Sequence, residues 1–205
     1  MSRSNSHGPR ILLVNPWIHD FAAYDVWAKP LGLLLLGAVL RTHGARISYL
    51  DCLNRFHPAM PARPSPPERS GRGPYLKTII PKPPGLGDLP RHFCRYGITP
   101  ERAAADLAAL DPPDLVLVTS MMTYWYPGVR ETIATVKAAY PHVPVVLGGI
   151  YATLYPAHAR RTCGADRVVT GPGEAAVLPL VAELIGWSPA PRFNAADLDT
   201  LPWPA

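Results

Sequence analysis

Residues 115–149 read LVLVTSMMTYWYPGVRETIATVKAAYPHVPVVLGG. The run LVLV at 115–118 is short, continuous and apolar, the pattern of a parallel strand buried on both faces. A helix from Gly128 to Tyr140 follows, and PVVL at 144–147 is a second strand of the same kind. Strand, helix, strand is a βαβ unit, the connection that parallel strands require.

The rhythm continues outward on both sides. Upstream, ILLV at 11–14 is a strand ending at Asn15-Pro16. Pro30 then opens an apolar helix closed by His43-Gly44, with proline at the start and glycine past the end. RISYL at 46–50 is the next strand and stops at Asp51. Thr99 and Pro100 start another helix, as N-cap and first helical residue, and it ends before Pro112-Pro113. Downstream, a short helix near Pro156 to Cys163 leads to RVV at 167–169, the turn Thr170 to Glu174, and a last helix to about Ile185. Five strands alternating with helices imply a doubly wound α/β sheet, flavodoxin-like or Rossmann-like, with order 2-1-3-4-5 along the sheet.

Composition bounds the rest. The chain has 205 residues, 48% hydrophobic and 17% charged, which excludes a disordered solvating chain. The longest apolar run, Leu31 to Leu40, is half of the ~20 residues that span a bilayer. Residues 1–10 are polar and read as a flexible N-terminus without a signal peptide. Cys52, Cys94 and Cys163 are odd in number and far apart, which argues against a disulfide framework and for a reducing cytoplasm. Ten of the 26 prolines fall between Pro58 and Pro90. Residues 55–102 also hold nine Lys/Arg against three Asp/Glu, while the remaining chain is nearly neutral. Residues 54–98 therefore read as an irregular Pro/Arg-rich insert after strand 2, and the net charge of +5 belongs to it. That distribution does not describe a nucleic-acid face. Within the insert, Tyr75, Leu76, Ile79, Ile80, Phe93 and Tyr96 are expected to dock on the domain while 57–73 stay mobile.

Ligands of open parallel sheets bind beyond the carboxyl ends of the strands. Four loops leave that edge here. They offer Asn15 and Pro16 after strand 1, Ser120, Met122 and Thr123 after strand 3, Gly148, Gly149 and Tyr151 after strand 4, and Thr170, Gly171, Gly173 and Glu174 after strand 5. Glycines allow backbone to approach a large flat ligand, hydroxyls and amides anchor it, and aromatics give apolar faces. The turn after strand 1, NPWIHD, lacks the G-x-G-x-x-G of dinucleotide binders, and a phosphate-cradling P-loop is absent too.

DFAAYDVWAKPLGLL (20–34), MTYWYPGV (122–129), VVLGGIYATL (145–154) and GADRVVTGPGE (164–174) closely resemble the cobalamin-binding domain that precedes the catalytic barrel in many radical S-adenosylmethionine enzymes. The resemblance spans about 11–185 and continues weakly into LDTLPWPA (198–205), which looks like the linker to such a barrel. It implies cobalamin as ligand, with the corrin over the strand ends and the nucleotide tail between sheet and helices. It also implies that Ser120, the Gly148-Gly149 pair, Gly171 and Gly173 meet the tail. Residues 186–205 would then lead to a C-terminal domain, and the partner would be a catalytic radical domain or subunit.

Two departures qualify the family pattern. The D-x-H-x-x-G motif, whose histidine ligates cobalt in methylcobalamin synthases and mutases, is absent, because Trp17 and Ala22 flank His19 at its key positions. No metal ligand is therefore expected in this chain. The cysteines are 42 and 69 residues apart, so the cluster motif C-x-x-x-C-x-x-C is missing. An iron–sulfur cluster and S-adenosylmethionine would sit only in a further domain, and no catalytic residue is expected here. Two other readings stand beside this one. One is a flavin- or other small-molecule-binding protein with Tyr124, Trp125 and Tyr126 around the ring, and the other is a protein–protein adaptor acting through the insert.

Overall fold

In the computed structural model, which describes residues 8–27, 29–59 and 71–204, the run LVLV is strand β8 (Leu115–Val118), buried at every position. It pairs in parallel with β1 (Arg10–Asn15) on one side and β9 (Val145–Leu147) on the other. Strands β4 (Arg46–Asp51) and β10 (Arg167–Val168) complete a five-stranded parallel sheet, ordered β10-β9-β8-β1-β4. This is the expected 2-1-3-4-5 order. Val14 lies opposite Val118, and Val118 opposite Leu147, so the central strands end level with one another.

The period-two alternation of strands divides the core. Leu12, Val14, Val116, Val118, Val145 and Leu147 face one side. They pack there against α2 (Pro100–Ala109), α3 (Tyr126–Ala139), α4 (Ile150–Leu154) and α5 (Pro156–Thr162). Ile11, Leu13, Leu115, Leu117 and Val146 face the other side, against α1 (Leu31–Thr42) and α6 (Gly173–Ile185). Strands buried on both faces have no polar alternation to show, hence their continuous apolar spelling. Thr99 caps α2 by accepting from the Arg102 amide, with Pro100 at its start. Among the described residues no helix is long and apolar enough to cross a membrane.

Two regions differ from the expected pattern. The loop after β1 forms β2 (Ile18–Asp20) and β3 (Tyr24–Asp25). No periodicity marked regular structure within 54–98, yet β5 (Gly73–Pro74), β6 (Lys77–Ile79) and β7 (Cys94–Tyr96) lie there. The insert and the loop pair with each other, as the antiparallel sheet β2-β7-β6 and the two-stranded β3-β5. Strands of two or three residues carry no period of their own and exist through their partners. A small core joins the two layers, from Ile18, Leu53, Tyr75, Cys94 and Tyr96. Phe93 is also buried, Leu76 and Ile80 are half-buried, and Ile79 is exposed. Most of the segment expected to be mobile, residues 60–70, lies outside the described residues.

Trp17 fixes the turn out of β1. Its amide donates to Thr132 Oγ1 at 3.2 Å and its indole N–H to the Ile98 carbonyl at 2.7 Å. The expected linker also docks in part: Trp187, Phe193 and Leu201 pack against the α1–α6 side, while Trp203 is 90% exposed.

Candidate functional site

At the carboxyl ends of β8, β9 and β10 a slot of about 220 Å³ opens between the sheet, α1 and α6. Leu117, Val118 and Val146 from the strands form its floor, with Val169 just beyond β10. Gly32, Leu33 and Leu36 of α1 close one side, and Ala176, Val177 and Leu180 of α6 the other. Thr119, Gly148, Gly149, Gly171, Pro172, Gly173 and Glu174 line its mouth.

The glycines differ in their reasons for being glycine. Gly149 has φ 89°, and a Cβ there would lie 2.7 Å from both the Ser120 carbonyl oxygen and Thr119 Oγ1. The backbone itself requires it, whatever binds. Gly148 is the reverse case, because a Cβ there would meet no atom within 4 Å. A Cβ on Gly173 would press the side chain of Leu36, at 2.8 Å, so that glycine lets the start of α6 approach α1. The Gly171 amide donates to Thr153 Oγ1 at 3.0 Å, which ties the loop after β10 to α4. Glu174 lies in the first turn of α6, where the helix dipole favours a carboxylate.

Of the residues singled out in the sequence, Gly148, Gly149, Gly171, Gly173 and Glu174 thus come together at the slot. The others lie elsewhere. Ser120 is buried, and its hydroxyl donates to the Met122 carbonyl at 3.1 Å. With Asn15 and Pro16 it lines a separate crevice of about 10 Å³. Asn15 is itself engaged, its side-chain amide donating to Asp51 Oδ1 at 2.8 Å. Tyr151 is buried on α4, its hydroxyl 2.7 Å from His158 Nδ1 and 3.1 Å from Thr162 Oγ1, and burial pushes its pKa up. Met122 and Thr170 are exposed, and Thr123 begins a 3-10 turn over Thr123–Trp125.

Sequence reasoning missed Thr119, one position before the serine, and the α1 and α6 walls. Gly32 had a signal, a glycine in the first turn of the apolar helix within the KPLGLL stretch, where it leaves the helix start without a side chain.

The same edge carries exposed apolar side chains. Tyr24, Val26, Trp27 and Leu31 follow β1, Tyr124 follows β8, and Ile150, Leu154 and Tyr155 follow β9, each more than half exposed. Large apolar groups gathered at one edge mark a surface built to be covered. Trp125 and Tyr126 do not join them. The Trp125 indole donates to Asp20 Oδ2 at 3.0 Å, and Tyr126 packs on His158 at 4.8 Å. Of the three rings at 124–126, that leaves Tyr124 alone more than half exposed, too few for a flavin sandwich.

His19 lies on β2, 8% exposed, with Nε2 2.7 Å from Glu131 Oε2. Glu131 also takes both Nε and a terminal nitrogen of Arg95. Burial alone would raise the Glu131 pKa, but the His19 and Arg95 contacts outweigh it and hold it down at about 2. Cys52, Cys94 and Cys163 are buried and unpaired, and burial pushes the Cys52 and Cys163 thiols up.

Residues 92–181 match the family model of the B12 binding domain. That match runs from just before β7 into α6, taking in the three strand ends at the slot and leaving out β1, α1 and β4. No curated protein matches the chain. Among solved structures, the chain is similar to a novel cobalamin-binding protein from Desulfitobacterium hafniense DCB-2. The two share 12% identity, over 84% of this chain and 57% of that one, with a TM-score of 0.45. The chain therefore spans less than two thirds of that protein.

Proposed function

We propose that this chain is a cobalamin-binding module, with the corrin over the carboxyl ends of the strands and the nucleotide tail in the slot. Gly148 carries the reading. It lines the slot with open space where a side chain would stand, so the backbone itself forms that wall.

The residues present fit the ligand. A slot of about 220 Å³ is below the usual range for a whole drug-sized ligand, roughly 300–1,000 Å³, and suits one flat ring system at the end of a larger molecule. Its walls are apolar, and four glycines with Thr119, Pro172 and Glu174 edge its mouth. The exposed apolar rim offers Val26, Trp27, Tyr124 and Ile150 to a broad macrocycle. Bound cobalamin supplies a cobalt centre that can carry a methyl group or enter radical chemistry. The chain's own residues bind the cofactor, orient it and keep water from its buried part.

The module serves, in this reading, a radical S-adenosylmethionine-type enzyme whose iron–sulfur cluster and S-adenosylmethionine site belong to another domain or subunit. Support comes from the resemblance of residues 20–34 and 198–205 to such enzymes, and from Trp203, 90% exposed and available to a neighbour.

The test is direct. Protein mixed with hydroxocobalamin and desalted should keep a cobalt-corrin spectrum. The added Cβ of Gly148→Leu meets no atom within 4 Å, so the variant should lose that retention while its thermal midpoint holds. Wild-type protein that emerges colourless, or a Gly148→Leu variant that retains the full spectrum, overturns the proposal.

A further inference from the structure

The insert and the loop after β1 line a second, open hollow, of about 540 Å³, that shares no residue with the slot. We propose that it is a binding site for a small aromatic carboxylate.

Its shape comes from pairing between distant segments. Tyr24 on β3 lies opposite Pro74 on β5, and Lys77 on β6 opposite Tyr96 on β7. Tyr75 and Tyr96, 3% and 4% exposed, form the packed base beneath the hollow. Phe21 is braced edge-on against Phe93 at 5.1 Å, and Tyr24 is 52% exposed. Aromatic side chains held in place by packing give a planar ligand contact area at little cost in side-chain entropy. The volume lies within the ordinary range of small-molecule sites, roughly 300–1,000 Å³.

Charge sets the ligand's sign. Lys77 and Arg91 line the cavity, both are exposed, and neither makes an ion pair among the described residues. The nearby acids are partly engaged elsewhere, the buried Asp25 Oδ1 having no hydrogen-bond partner among the described residues. Asp20 accepts from the Phe21 amide at 2.7 Å and from the Trp125 indole at 3.0 Å, and Asp25 accepts from Arg55 Nε at 3.0 Å. Burial above all pushes the Tyr75 and Tyr96 hydroxyls up, so both phenols stay neutral. Aromatic faces with two uncommitted cations match an aromatic ring bearing a carboxylate, which Arg can take through two parallel hydrogen bonds.

Naphthalene-2-carboxylate and its uncharged carboxamide are the probes, followed by ligand-observed NMR titration. The carboxylate should bind, and the carboxamide should bind at least tenfold more weakly, about the value of one charge-assisted hydrogen bond. Lys77→Gln with Arg91→Gln should cost a similar factor, and Tyr24→Ala should weaken both probes. Hydroxocobalamin retention should be unchanged in the Lys77→Gln, Arg91→Gln double variant, because neither residue lines the slot. Equal binding of the two probes, undiminished binding to the double variant, inorganic phosphate binding as tightly as the carboxylate, or no binding to wild-type protein would overturn the proposal. Far-UV circular dichroism of the variants, with Tyr24→Ala as an independent probe of the ring surface, separates loss of the site from loss of fold.

Discussion

Arg95 of the insert grips Glu131 of α3 through two nitrogens, Nε at 2.9 Å and a terminal nitrogen at 2.5 Å. The pair ties a segment outside the main sheet to a helix of the main core. His19 of β2 joins from the other strand of the same pairing, opposite Arg95. A bidentate guanidinium–carboxylate contact is geometrically demanding, so it sets the position of β7 as well as holding it.

The pair predicts an acid dependence. The Glu131 pKa is lowered from its ordinary 4.5 to about 2 in the folded chain. Its stabilisation is therefore complete above pH 4.5 and is lost as pH falls towards 2, where the folded form also takes up the proton. Glu131→Gln should be less stable than wild type by about 1–3 kcal/mol at neutral pH in urea unfolding. The difference should shrink steadily below pH 4.5. A difference that stays constant down to pH 2.5 would show that the charge of Glu131 plays no part.

Gly128 predicts a packing effect. A Cβ on this residue would lie 2.1 Å from the Trp17 carbonyl oxygen, a backbone atom that cannot swing aside. Gly128→Ala should force α3 away from the turn after β1 and cost about 1–3 kcal/mol, the usual range for overpacking. Gly32→Ala is the control, since nothing lies within 4 Å of its added carbon. Equal urea midpoints for Gly128→Ala and wild type would falsify the close approach.

His19 predicts silence in a spectrum. Its Nε2 is held against Glu131 and its ring stands edge-on to Phe93 at 6.3 Å. If cobalamin binds as proposed, His19→Ala should leave the visible bands of the bound cofactor where they are. A shift of those bands, or loss of nitrogen splitting in the electron resonance of the cobalt(II) form, would place this imidazole on cobalt.

The segment after α6 predicts a protease pattern. Arg192 reads in the sequence as an early trypsin site, together with Arg63, Arg69 and Arg72. Arg63 and Arg69 lie outside the described residues. In the structure the Arg192 amide donates to His43 Nε2 at 3.0 Å and its guanidinium to the Thr42 carbonyl at 3.1 Å, with Phe193 against the His43 ring. Cleavage at Arg192 should therefore lag behind cleavage at the exposed Arg72. Mass spectrometry showing Arg192 cut first would mean that the segment is not docked.

Local pattern was enough to place the main sheet. Ile11 to Val14 and Leu115 to Val118 spell buried strands because both of their faces are covered, and this spelling needs no knowledge of what covers them. Alternation with helices then left few topologies, and the strand-end loops marked the edge where a ligand goes. What the sequence could not decide was which residue of each loop faces the ligand. Thr119 and Ser120 are adjacent hydroxyls, yet one lines the slot and the other is buried on the Met122 carbonyl. That choice follows from the Ser120 carbonyl receiving the Ile150 amide at the start of α4, a contact across 30 positions. The slot's side walls, on α1 and α6, lie far apart in the chain and meet only in the folded state. The paired strands of the insert are the extreme case. Two or three residues have no period to read, and they become strands only when the tertiary fold brings them a partner.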